Sequence, residues 1–184
     1  MRRCERIQLS IGTITLLLVV CGAFSLVSVG CQATQTAKTD EKDAVIVDNS
    51  DKTAFSTKGI WMSDYGQGGE NYGHDALWTY SNPEGAEVAT WKPRLAQDGF
   101  YDVSVWYCGD PNDDHATDAP YTVKSTEGTR TVKLNLKENF GKWVSLGVYR
   151  MSKGIGGQVG LSSAANGNVV ADAVRFEYVG ETKP

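Results

Sequence analysis

The chain has 184 residues, of which 41% are hydrophobic and 22% charged, with a formal net charge of −4. That length accommodates one domain with extensions, and that balance excludes a disordered chain. The acidic charge without a basic stripe argues against a nucleic-acid partner, and 20 Gly, 8 Tyr and 5 Trp without a 3.6-residue apolar period point to short strands joined by turns.

Residues 1–30 read as a targeting segment. Arg2, Arg3 and Arg6 form a basic start, residues 11–29 are apolar, and small residues lead to Cys31. The string Leu26-Val27-Ser28-Val29-Gly30-Cys31 resembles a bacterial lipobox, with Ser28 where Leu is usual. Three outcomes fit: lipidation at Cys31, an uncleaved membrane-anchor helix, or a plain secretory signal. Each exports the domain, to the periplasm or cell surface. Removing these residues leaves a net charge of about −6. Cys4 and Cys21 lie in the segment and Cys31 at its end, so Cys108 is alone in the folded part and has no intrachain disulfide partner.

Residues 31–43 are polar and aperiodic, a disordered tether. The domain is expected over residues 44–180, with a tail at 181–184. Residues 44–48 read as a strand and 49–51 as a turn; residues 55–63 read as a second strand. Residues 64–75 are rich in Gly, Tyr and Asn and read as a long loop. Strands are expected at 76–81 and 86–91. In residues 99–107, Tyr101, Val103, Val105 and Tyr107 fall on one face and Asp102, Ser104 and Trp106 on the other. An irregular stretch follows, with the acidic run Asp110, Asn112, Asp113, Asp114 and His115. Further strands are expected at 119–124, 130–136, 143–149, 158–162 and 169–176. The alternation slips at Gly147, which predicts a β-bulge, and Asn166-Gly167 reads as a turn. Nine or ten short strands with such turns predict an all-β, antiparallel β-sandwich of the jelly-roll type.

The strings Val45-Ile46-Val47-Asp48-Asn49, Gly99 to Tyr107, Ala116-Thr117-Asp118-Ala119-Pro120-Tyr121-Thr122-Val123, Trp143-Val144-Ser145-Leu146-Gly147 and Val169-Val170-Ala171-Asp172-Ala173-Val174-Arg175-Phe176 together resemble the golvesin C-terminal-like domain, also described as similar to the carbohydrate-binding domain attached to xanthan lyases. The resemblance covers residues 45–178. It implies a non-catalytic β-sandwich found beside polysaccharide-active or cell-surface modules, usually fused to larger catalytic regions.

Aromatic rings stack on sugar faces, so Trp106 with Asp102 beside it, and Tyr65, Tyr72, Trp78 and Tyr80 around the long loop, are the candidate carbohydrate contacts. Trp61, Trp91 and Trp143 are expected in the core. Asp118 and Asp172 are expected to pin loop ends by accepting backbone N–H bonds, Asp172 from an inward position. The sharper alternative for Asp172 is a structural Ca²⁺ site with Asp48 and Asp51; apart from that ion, no cofactor is expected. Catalysis is disfavoured because the chain has neither a G-x-S-x-G elbow nor an HExxH motif. The expected function is an exported, surface-anchored module that binds a polysaccharide or cell-envelope component. The alternative is a protein-interaction or structural module of the envelope, and a small polysaccharide-active enzyme is a more distant third.

Overall fold

The structure, a computed structural model, describes residues 44–64, 70–109 and 114–184. The targeting segment, Cys31, the tether, Tyr65 and, from the acidic run, Asp110, Asn112 and Asp113 lie outside the described residues. Among the described residues there is no helix, so none is long and apolar enough to cross a membrane.

The strands in chain order are β1 (Ala44–Val47), β2 (Phe55–Lys58), β3 (Met62–Asp64), β4 (Ala76–Thr79), β5 (Val88–Trp91) and β6 (Gly99–Trp106), then β7 (Ala119–Ser125), β8 (Gly128–Leu134), β9 (Val144–Met151), β10 (Gln158–Ser162), β11 (Val169–Ala171) and β12 (Ala173–Gly180). They form a four-stranded sheet in the order β1-β12-β6-β9, a five-stranded sheet in the order β2-β5-β10-β7-β8, and a small sheet in the order β11-β4-β3. All named pairs are antiparallel.

Period-2 alternation explains the core. Tyr101, Val103 and Val105 of β6, with Val174 and Phe176 of β12, are buried in one cluster with Tyr121 and Val123 of β7, Val159 and Leu161 of β10, and Ala89 and Trp91 of β5. The two larger sheets therefore share a single hydrophobic interior. Cys108 is buried just past β6.

Three departures from the sequence reading matter for the site. Residues 55–63 do not form one strand: the chain turns after Lys58, so β2 pairs with β5 while β3 pairs with β4. Trp61 lies in that turn, only half-buried, with its indole N–H donating to the Lys58 carbonyl at 3.0 Å; it packs against the core but is not inside it. Residues 169–176 also split. Asp172 interrupts them, so β11 pairs with β4 while β12 pairs with β1 and β6. The break coincides with outside ties: the Asp172 carbonyl accepts the Trp91 indole N–H at 3.1 Å, and its carboxylate accepts the Tyr72 backbone N–H at 3.0 Å. Finally, the outer face of β6 is not open. Phe100 is 8% and Ser104 2% exposed, with the Arg150 guanidinium 5.9 Å from the Phe100 ring centre.

The slip at Gly147 is present. The β6–β9 register shifts between Val103, opposite Gly147, and Ser104, opposite Ser145. Gly147 has φ 119, a left-handed value that side chains resist, which is why a glycine sits at this bulge.

Candidate functional site

Two ends of the domain gather side chains able to do chemistry. The first lies where β6 stops. Trp106 projects from the outer face, but residues 70–72 fold back over it. Its indole N–H donates to the Glu70 carbonyl at 2.6 Å. Tyr72 meets Trp106 nearly edge-on at 5.7 Å and Trp143 at 5.0 Å, and the two tryptophans stand 5.5 Å apart at 75°. The Arg175 guanidinium caps Trp143 at 5.1 Å and pairs with Glu177 at 3.3 Å. Edge-to-face pairs add about 0.5–1.5 kcal/mol each beyond burial. These rings are spent largely on one another. Trp143 is thus half-buried on the outer side, not a core residue, because it precedes β9 and leans onto the Trp106 end. Asp102, farther along the same face, accepts the Ser145 hydroxyl at 2.5 Å.

The second end is polar and open. A pocket of about 430 Å³ is lined by Ser81, Asp114, His115, Thr117, Lys137, Asn166, Gly167 and Asn168. Its walls are loops zipped together by backbone bonds. Asn168 N–H donates to the Asp114 carbonyl at 2.7 Å, Ala116 N–H to the Asn168 carbonyl at 2.9 Å, and Leu136 N–H to the Ala116 carbonyl at 2.8 Å. Asn166 fastens the same loops: its side-chain oxygen accepts the Thr117 N–H at 2.8 Å and its amide N–H donates to the Thr117 hydroxyl at 2.7 Å. Gly167 permits this closeness, since a Cβ there would stand 2.5 Å from the Asp114 carbonyl oxygen. Asp118 buttresses the wall from behind, accepting the Asn166 N–H at 2.8 Å and the Lys133 ammonium at 3.1 Å. Those two contacts, the backbone one first, hold its carboxyl below the usual range.

Tyr80 stands at this end too. Thr79 of β4 pairs with Val169 of β11, so Tyr80 and Asn168 are the next residues out on neighbouring strands, and Ser81 lines the pocket. Tyr80 is 63% exposed, its ring propped nearly perpendicular on half-buried Trp78 at 5.1 Å. Of the sequence candidates, Trp106 and Tyr72 come together in the packed cluster, Trp78 and Tyr80 contact each other next to Ser81 without lining the pocket, and Asp102 joins neither pair. The sequence reading passed over Ser81, Thr117, Lys137, Asn166 and Asn168. The Asn166-Gly167 turn was their only local signal.

The chain matches the Golvesin C-terminal domain family over residues 45–178, and it belongs to that family. Among solved structures it is similar to a Paenibacillus xanthan lyase, with 32% identity and TM-score 0.70 over 75% of this chain and 13% of that one. It is similar in fold to a Podospora anserina GH26-CBM35 β-(1,4)-mannanase, with 17% identity and TM-score 0.55 over 77% of this chain and 29% of that one. It also shares a fold with a family 35 carbohydrate binding module from Clostridium thermocellum, with 10% identity and TM-score 0.50 over 72% of this chain and 98% of that one. The chain therefore spans only a small part of both enzymes. No curated protein matches it.

Proposed function

We propose that this protein is a non-catalytic carbohydrate-binding module whose saccharide site is the polar pocket beside Tyr80. The observation that carries the reading is the lining itself: amide, hydroxyl, amine and carboxylate groups in a cavity of about 430 Å³, one of whose residues, Ser81, directly follows the 63%-exposed Tyr80 in the chain. That volume lies in the range of roughly 300–1,000 Å³ of small-ligand sites. The polar groups would hydrogen-bond sugar hydroxyls, and the Tyr80 ring would take a sugar's C–H face. Family membership and the fold shared with a carbohydrate binding module support the reading. The non-catalytic part rests on the lining: among the described residues Asp114 is its one carboxylate, whereas glycoside hydrolysis commonly needs two. Export through residues 1–30, with lipidation at Cys31, belongs to the same proposal and rests on the basic start, apolar run and lipobox-like string.

The test is a polysaccharide screen of the full chain, with xanthan and β-mannan among the ligands, followed by titration of Asn168→Ala. Binding by the native chain and its loss in a variant of unchanged melting temperature are expected. Failure to bind any polysaccharide would leave the interaction-module reading. The exposed side chains of Ile60 and Ile155, at 76% and 64%, would then be the first places to seek a protein contact.

A further inference from the structure

The acids beyond β1 bond into their own turns, Asp48 accepting from Ser50 and Asp51 from Thr53, and among the described residues no three Asp, Glu, His or Cys side chains are grouped to hold a metal. The outer face of the five-stranded sheet is organised differently. Trp91 of β5, Val159 of β10 and Val123 of β7 stand opposite one another and are buried, so the residues that alternate with them face outward. One outward row crosses all five strands: Ser56, Thr90, Gly160, Thr122 and Thr131. Gly160 makes the centre of that row low. A Cβ there would meet Thr122 Oγ1 at 2.8 Å and the Ala89 carbonyl oxygen at 3.8 Å, and among the described residues no other atom beyond its chain neighbours would come within 4 Å. No second layer covers the row at this point, and a glycine inside a strand often marks the close approach of another chain.

The charges on this face have one sign. Lys58 ends β2 opposite Val88, Lys124 of β7 lies opposite Gln158, and Lys92 follows Trp91 at the end of β5. All three are exposed, and among the described residues none has a carboxylate within ion-pairing distance. Lys133 of β8 is spent on Asp118. No Asp or Glu stands in the central row or in the outward rows on either side of it. The other sheet differs, since Asp102 lies opposite Glu177 there. A chain of net charge −4 thus keeps one sheet face cationic. Strand geometry sets the scale: Lys92 and Lys124 lie about 10 Å apart across β10, and Lys58 about 13 Å farther along the strands. We propose that this face docks an anionic polysaccharide, whose carboxylates meet Lys58, Lys92 and Lys124 while its hydroxyls bond the Ser and Thr row on both sides of Gly160. The surface is separate from the pocket and does not rest on it. The three rows hold no aromatic side chain and no Leu, Ile or Met, so nothing on the face inserts into a bilayer, which favours a polymer over a lipid surface.

The test measures affinity of the full chain for polygalacturonate and for neutral β-mannan by affinity electrophoresis in about 0.05 M and about 0.3 M NaCl. Retention by polygalacturonate at the lower salt, weaker by roughly tenfold at the higher, is expected. The double variant Lys92→Gln, Lys124→Gln changes two exposed side chains, so it should keep the native melting temperature. It should lose roughly tenfold in polygalacturonate affinity while any β-mannan retention holds. Lys58→Gln is the second variant, with a smaller loss. Asn168→Ala, in the pocket, keeps polygalacturonate binding, which separates failure here from failure of the pocket reading. No retention of the native chain by polygalacturonate, or unchanged affinity in the double variant, overturns the proposal. Loss of polygalacturonate binding in Asn168→Ala also overturns it, by placing the polymer in the pocket. So does equal or tighter binding to vesicles of phosphatidylglycerol and phosphatidylcholine or to duplex DNA, which would make the partner a lipid surface or a nucleic acid.

Discussion

The Trp106 end and the pocket end are both built by loops closing over strand termini, yet they spend their residues in opposite ways. At the Trp106 end three rings and a guanidinium satisfy one another. At the pocket end asparagines and a glycine zip two loops tightly around a polar-lined cavity. The difference teaches that a concentration of aromatics marks where the chain must cover a sheet end. The polar cavity is instead lined mostly by small polar turn residues.

Substitutions at each end should separate the two. Trp106→Ala removes a half-buried ring from the cluster and should cost about 2–4 kcal/mol in urea unfolding while saccharide affinity holds. The reverse outcome, lost affinity at unchanged stability, would return Trp106 to the ligand site. Gly167→Ala forces a Cβ against the Asp114 backbone and should cost about 1–3 kcal/mol while also weakening saccharide binding, because the wall itself shifts.

Asp118 offers a test by pH. Its folded carboxyl is held below the unfolded value by Asn166 and Lys133. The stability it adds is therefore complete above about pH 4 and lost as pH falls through the lowered folded value. Melting curves of Asp118→Asn and the native chain should differ at pH 6 and converge as the pH falls through the lowered folded value. The smallest effect on stability is expected from Tyr80→Ala, within about 0.5 kcal/mol for so exposed a side chain, but it should weaken saccharide binding more than any other single ring. Affinity unchanged in that variant would remove Tyr80 from the site and leave the pocket to bind through polar groups alone.

Much of the fold is written in local pattern. The alternation along β6 places Tyr101, Val103 and Val105 inside, and the slip at Gly147 marks the bulge. The antiparallel arrangement follows from short runs between turns. What local pattern lacks is distance along the chain. Strand parity put Trp106 on the outer face, but the cover comes from Glu70 and Tyr72, more than 30 residues away. The pocket is equally non-local, since Ser81, Thr117, Lys137 and Asn166 meet only after folding. Asp172 reads inward from its neighbours, and it is buried. That it also divides one apolar run between two sheets depends on Trp91 and Tyr72, which no window around residue 172 contains.

The pairing of the first and last strands fixes how the domain can be mounted. Ala44 lies opposite Glu177, while Val47 lies opposite Val174 at the other extremity of the same sheet, next to Asp48 and Asp172. The polypeptide thus enters and departs side by side at one pole. The turn at residues 72–75 and the rings clustered with it lie at the opposite pole, beside Asp48 and Asp172.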